Sequence, residues 1–346
     1  MNQNLKTVGL SAVLAAAATL PSQADVTINQ YLSIEGYVAA SATFTKVSSG
    51  GLLGLPNAGK NYTLFDSQAE NLDRAFVGLK GKHGAFDGEV SFLYIPDGGG
   101  NEAGILDAYA RWSQNGFAVK VGKFLTNLGY EAFHIRDMNQ LTRGHLVDFP
   151  GGYHTGIDLS YTAPDEKFSV GGAVLDSLFG GQGFYDGDYN LKNIGFEFFA
   201  SFKPNKQSKI FASVGYDSKN DDSFRTDGDA AKDQLVFDFW GSYDITDDIS
   251  VGAEYSYAQN KASDDGSRAW ILFAKYTLPQ LNRKFSLVGR ISSIDRDFDD
   301  GSEYRFTLSP AYKYSDNLLF RAEVSHLHGS GNYNDYFFGL QAIFSF

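Results

Sequence analysis

Ser325 and the histidines that follow it, His326 and His328, are the residues in this sequence most like a nucleophile and its base. A serine becomes a nucleophile when a histidine lies within hydrogen-bond distance and accepts its proton. Polar and apolar residues alternate around this segment, which predicts a β-strand, and adjacent strand residues point to opposite faces. We therefore expect Ser325 on one face and both histidines on the other, and we predict no catalytic residues.

A second pattern, Asp295, Asp297 and Asp299, has the spacing of alternate ligands in a calcium-binding loop. Such a loop requires glycine at its sixth position and glutamate at its twelfth, where this chain has Asp300 and Phe306. The chain also has no cysteine, and it contains neither a phosphate-binding loop nor a dinucleotide fingerprint. We therefore predict no metal and no cofactor.

The remaining candidates are charged side chains spread over most of the chain. In a water-filled passage, such charges select ions by sign, and facing walls of opposite charge orient dipolar solutes. We predict that role for Arg74, Lys80, Arg111, Lys120, Glu131, Arg136, Asp137, Arg143, Asp148, Lys275, Arg290, Arg305 and Arg321. The alternative is that each arginine is neutralised by a neighbouring carboxylate, as Glu323 would neutralise Arg321, so that the pairs merely fill the interior.

These charges require a scaffold that points them to one side and apolar residues to the other. Alternation of period two recurs from residue 29 to residue 346 and predicts sixteen strands. Aromatic residues form 15% of the chain, which also favours strands. The predicted strands are 29–46, 72–82, 85–95, 104–113, 116–124, 153–162, 167–177, 191–203, 208–217, 233–244, 249–259, 267–278, 283–294, 303–314, 317–327 and 335–346.

The connections between these strands alternate between short turns of two to four residues and longer loops. Outer-membrane barrels have short periplasmic turns and longer extracellular loops. Alternation alone also fits a soluble β-sandwich, but a sandwich has no reason to sort its connections by length. We therefore predict an all-β fold, a transmembrane antiparallel β-barrel of about 16 strands with both termini on the periplasmic side.

The apolar face of the predicted strands has no charge across their central stretches, as Phe338, Leu340 and Ala342 illustrate on the last strand. Lipid requires this because a lysine or arginine at the bilayer midplane costs roughly 2–4 kcal/mol. The opposite face contains the charged set, which therefore lines the lumen. Outer-membrane lipid and lipopolysaccharide are the expected partners of the apolar face.

The N-terminal residues 1–24 have the pattern of a signal peptide. Lys6 precedes an apolar run from Val8 to Leu20, and Ser22 and Ala24 place small residues at the −3 and −1 positions of a cleavage site. We predict cleavage after Ala24, so that the barrel occupies 25–346. The formal net charge of −12 argues against nucleic acid as a partner.

Several short motifs add a family resemblance. Gly122-Lys123-Phe124, Gly129-Tyr130-Glu131 and His154-Thr155-Gly156, together with the terminal Phe346, resemble the OmpL-like family of outer-membrane β-barrel porins. The resemblance implies passive diffusion of small hydrophilic solutes and ions, and it implies no catalytic residues. It also implies that the outer-membrane assembly machinery recognises the last strand. The constriction-loop motif of the general trimeric porins is not found.

In porins the third loop folds into the barrel, so the resemblance implies that residues 125–152 form a constriction loop. A homotrimer is implied in the same way. Small outward side chains on the first and fourth predicted strands suit such packing: Val38, Ala40, Ala42, Ala108 and Ala110.

Two other functions remain open from the sequence. A substrate-specific channel would show a track of aromatic residues into the lumen, for which Tyr37, Tyr109 and Trp240 are inward candidates. A structural or adhesive barrel would have a plugged lumen.

Overall fold

Almost all of the regular structure is β-strand. The computed structural model describes residues 26–47, 60–64, 73–96, 101–144, 152–178, 194–220, 232–260, 265–296, 301–330 and 333–346. One-turn 3₁₀ helices lie at Ile135–Asp137 and Pro279–Leu281, and no described helix is long and apolar enough to cross a membrane. The strands are β1 (Val26–Asn29), β2 (Leu32–Val47), β3 (Lys60–Leu64), β4 (Arg74–His83), β5 (Phe86–Pro96), β6 (Asn101–Gln114), β7 (Phe117–Leu125), β8 (Tyr153–Thr162), β9 (Phe168–Leu175), β10 (Ile194–Phe202), β11 (Ser208–Asn220), β12 (Lys232–Thr246), β13 (Ile249–Asn260), β14 (Asp265–Thr277), β15 (Phe285–Arg296), β16 (Gly301–Lys313), β17 (Leu318–Gly329) and β18 (Tyr333–Ser345).

The sheet closes on itself through β2. One edge of β2 pairs with β18 along Tyr37–Val47, and the other pairs with β4 along Leu32–Ala39. From β4 to β18, each strand pairs antiparallel with its neighbours in sequence. β2 and β4 to β18 therefore form a closed barrel of 16 antiparallel strands, which confirms the predicted fold. Closure gives every barrel strand a hydrogen-bonded neighbour on both edges, as lipid requires.

Two short strands were not predicted. β1 pairs with the first residues of β2, and β3 pairs with Ala42–Lys46 at its other end. β1 ends where the first predicted strand begins, and β3 lies between the first two predicted strands.

The last residue closes the barrel beside β1. Phe346 and Gly36 exchange two backbone hydrogen bonds of 2.9 Å. A Cβ atom at position 36 would lie 2.5 Å from the Phe346 ring and 2.7 Å from the carbonyl oxygen of Phe76. Glycine is therefore the residue that this contact admits.

The two faces of the wall have the predicted polarity. Phe338, Leu340 and Phe344 point outward from β18 with 42–51% of their surface exposed, whereas Gln341 and Ile343 between them are buried. Large apolar side chains are exposed in this way over the described wall. Such a surface suits lipid contact, because soluble proteins rarely expose large contiguous apolar patches.

A β-bulge between β5 and β6 changes which side chains enter the lumen. Val90 pairs with Ala108 and Phe92 pairs with Ile105, so two residues of β6 oppose one residue of β5. The extra residue lets both Leu106 and Asp107 be buried, and Asp107 accepts a 2.7 Å hydrogen bond from the hydroxyl of Ser91.

Candidate functional site

The third loop begins where β7 ends, and its described residues, 126–144, lie inside the barrel. Glu197 of β10 accepts hydrogen bonds from the backbone N–H of Asn127, at 2.6 Å, and from the hydroxyl of Thr126, at 3.1 Å. Glu254 of β13 accepts a 2.7 Å bond from the backbone N–H of Tyr130. Inward carboxylates on β10 and β13 therefore bind the first part of the loop through its backbone N–H groups.

An aromatic cluster lies beside this first part. The Tyr130 ring centroid is 4.8 Å from that of Phe273 and 5.1 Å from that of Trp240. Trp240 stacks at 5.1 Å on Phe211, which stacks at 5.8 Å on Phe199. All five side chains are buried. The rings cover one another and anchor the loop through Tyr130.

The tip of the loop packs against β2, β4 and β8. The His134 ring lies edge-on to Phe76, with 4.6 Å between centroids, and its Nε2 is 3.3 Å from the hydroxyl of Tyr153. Burial, reinforced by the nearby Arg136 guanidinium, lowers the pKa of His134 to about 3. His134 is therefore neutral at physiological pH.

Glu35 of β2 joins the loop to the wall by an ion pair. Its carboxylate is 2.6 Å from the Arg136 guanidinium and 2.9 Å from the Lys80 ammonium. One buried carboxylate thus bridges a loop cation and a wall cation, which fixes the tip of the loop relative to β4.

The last part of the described loop contacts β14 to β17. Glu323 accepts hydrogen bonds from the backbone N–H groups of Leu141 and Thr142, at 2.8 and 3.1 Å. Arg290 donates a 2.8 Å bond to the carbonyl oxygen of Thr142, and Arg321 donates a 2.9 Å bond to that of Gln140. These charged side chains of the wall bind the loop backbone directly.

The family model described as Putative beta-barrel porin-2, OmpL-like, matches residues 75–346, which is more than half of the chain. The chain belongs to this family. It is an outer-membrane β-barrel porin, as the sequence resemblance predicted. No curated protein sequence matches the chain.

Solved porin structures share the fold at low sequence identity. OmpT of Vibrio cholerae, in a trimer form, is 15% identical with a TM-score of 0.60, over 91% of this chain and 100% of that one. An anion-selective porin from Comamonas acidovorans is 12% identical with a TM-score of 0.61, over 91% and 99% of the two chains. The outer membrane channel DcaP of Acinetobacter baumannii is 12% identical with a TM-score of 0.62, over 93% and 100%.

The predicted charged residues of this porin fall into two levels. Lys80, Arg111 and Lys120 each lie three residues from the short-turn end of their strands, below the loop. Most of the others contact the loop or belong to it: Arg74, Glu131, Arg136, Asp137, Arg143, Lys275, Arg290, Arg305 and Arg321. Asp148 lies outside the described residues. The role of the whole set in selecting ions stays a prediction.

At the lower level the charges pair with the wall itself. Arg111 binds Asp87 through two nitrogens, with bonds of 2.9 and 3.0 Å. The Lys120 ammonium lies 4.8 Å from the ring centroid of Phe124 and 5.4 Å from that of Tyr109. For Arg111, the alternative of a neutralised structural pair matches the geometry.

Beside the loop, Arg321 and Glu323 form hydrogen bonds to the loop, so the alternative in which they only neutralise each other does not match the geometry. Arg321 donates to carbonyl oxygens at Gln140, Ile135 and Arg136, whereas Glu323 accepts from Leu141 and Thr142. The carboxylates that bind the loop were not among the predicted selectivity residues, and Glu323 was considered only as a partner that would neutralise Arg321: Glu35, Glu197, Glu254 and Glu323. Their only signal was a charge in the middle of a strand.

Proposed function

We propose that this porin allows small hydrophilic solutes and ions to diffuse passively across the outer membrane through its lumen. The observation that supports this most is a charged loop bound inside a closed barrel whose outer face is apolar. In this proposal the third loop, 125–152, narrows the lumen. Solute passage needs no catalytic group, because pore width and lumen charge alone discriminate between solutes.

The partly exposed charges are the ones we propose to contact solutes. Asp137 has 49% of its side-chain surface exposed and Arg111 has 29%, and Arg143 and Arg305 are also partly exposed. Arg74, Arg290 and Arg321 are buried, so we propose that they hold the loop instead. Selectivity by sign would then depend on the first group.

A substrate-specific channel receives less support. Of the three inward aromatic candidates, Tyr109 is partly exposed and lies beside the Lys120 ammonium. Trp240 is buried in the cluster with Tyr130 and Phe273, and Tyr37 is buried against Phe76. A solute that stacks on aromatic rings needs an open face, and these buried rings offer little of one.

A plugged barrel is the second candidate, and one observation favours it. Three of the inward charges beside the loop are almost wholly buried, with Glu323 at 0%, Arg290 at 2% and Arg321 at 3% exposure. If water filled the whole cross-section of the lumen beside the loop, these side chains would have a larger exposed fraction.

We also propose a homotrimer in outer-membrane lipid and lipopolysaccharide, as one of the similar structures, OmpT, has a trimer form. The outward small residues Ala108 and Ala110 suit close packing of a neighbouring copy. Recognition of the last strand by the assembly machinery belongs to the same proposal. The predicted signal peptide, 1–24, lies outside the described residues and stays a prediction.

Single-channel recording of the refolded protein in planar bilayers tests the proposed function. Stable ohmic current steps are expected, and the reversal potential in a KCl gradient gives the sign of the preferred ion. Absence of steps from protein shown to be folded would refute the open pore and favour the plugged barrel.

A further inference from the structure

Three wall side chains converge on one segment of the third loop. Glu323 on β17 accepts three hydrogen bonds from two consecutive loop residues: from the backbone N–H of Leu141 at 2.8 Å, and from the N–H and hydroxyl of Thr142 at 3.1 and 2.5 Å. An ionised carboxylate has about four acceptor positions, so these three donors occupy most of them.

Two arginines bind the carbonyl oxygens of the same segment. Arg321 donates to Ile135 at 2.7 Å, Gln140 at 2.9 Å and Arg136 at 3.2 Å. On β15, Arg290 donates to the Thr142 carbonyl at 2.8 Å and to its hydroxyl at 3.0 Å.

Arg290 also links the two parts of the loop. Its guanidinium is 2.7 Å from Glu131, and the same carboxylate accepts a 2.6 Å bond from the N–H of Gly144. One arginine therefore ties the start of the loop and the end of its described part to β15.

The partners on the loop are mainly backbone groups, so its position depends on the wall more than on its own side chains. Each wall residue is itself paired in a ladder, Arg290 with Thr307 on β16, and Arg321 and Glu323 with Gln341 and Gly339 on β18, which keeps their backbones in place. Hydrogen bonds to charged groups are stronger than neutral ones, and burial strengthens them further.

We propose that Glu323, Arg321 and Arg290 form a clamp that positions residues 135–142 of the third loop and so sets the width of the pore. The inference that the clamp sets pore width rests on the proposed function, whereas the positioning itself does not. The clamp residues are positioning residues, distinct from the partly exposed charges that meet solutes.

Glu323→Gln tests the clamp. The substitution keeps the size of the side chain but removes the charge and turns an amide donor toward loop donors. Glu89→Gln is the matched control, because Glu89 is an inward carboxylate on β5 whose described hydrogen bond comes from Tyr109, not from the loop. Arg321→Met, which removes the three hydrogen bonds that Arg321 donates to the same segment, is the second variant if Glu323→Gln does not refold.

The first measurement is trypsin cleavage of the refolded protein, with the cut sites identified by mass spectrometry. Arg136 and Arg143 are the basic residues within 126–144, so cleavage after them reports release of the loop. We expect cleavage to be about tenfold faster in Glu323→Gln. This is the lower end of the effect that the loss of one hydrogen bond to a charged group produces. Glu89→Gln should match the unmodified protein.

A disulfide tether tests whether the loop itself is responsible. A Cβ atom on Gly144 would lie 3.1 Å from Cγ1 of Ile271, and the chain has no cysteine of its own. Release of the loop in Glu323→Gln should also increase the noise of single-channel currents. Adding Gly144→Cys and Ile271→Cys to this variant should restore slow cleavage and quiet currents when oxidised but not when reduced.

The two proposals fail in different ways. If Glu323→Gln and Arg321→Met are cleaved at the unmodified rate and their current noise is unchanged, the clamp is refuted while the porin function stands. If cleavage accelerates but the unmodified protein passes no current, the loop is positioned as proposed and the pore function is refuted.

Discussion

The effect of an arginine on the outer wall on the free energy of unfolding depends on whether lipid or water surrounds that wall. Leu308 lies near the middle of β16 with 51% of its surface exposed, and Leu281 lies in the short turn before β15 with 52% exposed. The two positions are therefore equally accessible to solvent. Only a bilayer distinguishes them, because one lies at membrane depth and the other lies at the periplasmic rim.

The expected cost follows from depth. Leu308→Arg should lower the free energy of unfolding in bilayers by roughly 2–4 kcal/mol, whereas Leu281→Arg should lower it by about 0–1 kcal/mol. Since 1.4 kcal/mol is a factor of ten, the midplane variant loses roughly 30-fold to 700-fold in its folded-to-unfolded ratio. In a soluble β protein both substitutions would fall within about ±0.5 kcal/mol.

The assay is reversible unfolding in lipid vesicles with guanidinium, followed by tryptophan fluorescence. Both variants and the unmodified protein are compared at the same lipid thickness, and equal m-values show that the same surface is exposed on unfolding. Equal costs at Leu308 and Leu281 would refute the assignment of the apolar face to lipid.

Three further predictions concern the seam, the loop and the lower lumen. Gly36→Ala should lower the free energy of unfolding by about 1–3 kcal/mol, because its Cβ would overlap the Phe346 ring, and refolding yield and denaturant midpoint measure this. His134 has a pKa of about 3 in the folded loop and 6.5 as its reference, so its neutral form stabilises the loop above pH 6.5, and this stabilisation is lost progressively as the pH falls from 6.5 towards 3. Hydrogen exchange of 126–144 should show that loss, and His134→Phe should flatten it; an unchanged pH profile would contradict the reasoning. Arg111→Gln should shift the reversal potential toward cation preference and Asp87→Asn toward anion preference, since both side chains of this pair are partly exposed. Identical potentials in the two variants would count against their contact with ions.

Sequence reasoning succeeded where a local rule determines the structure. Period-two alternation is a property of a few consecutive residues, so all sixteen barrel strands were predicted to within a few residues of their bounds. The sorting of short and long connections then distinguished a membrane barrel from a sandwich, and Asn115-Gly116, with φ of 52° and 84°, shows the tight turn chemistry of the short side.

Sequence reasoning failed where an extra residue or a distant partner decides the outcome. The bulge beside Val90 is one inserted residue, which alternation does not locate, yet it places both Leu106 and Asp107 inside. Glu323 next to Arg321 suggested a pair within one strand, but their hydrogen bonds run to the loop, in one case between residues 186 positions apart.

The sequence by itself determined the strand number, the lipid face, the lumen face and the family. The family resemblance already implied that the third loop enters the barrel, and tertiary structure alone decided which wall charges bind its described residues, 126–144. The reason is that face and strand depend on neighbouring residues, whereas the path of a loop depends on barrel closure. Closure brings β10, β13, β15 and β17 around a segment far from them in sequence, and no pattern along the chain records which carboxylate will meet which backbone N–H.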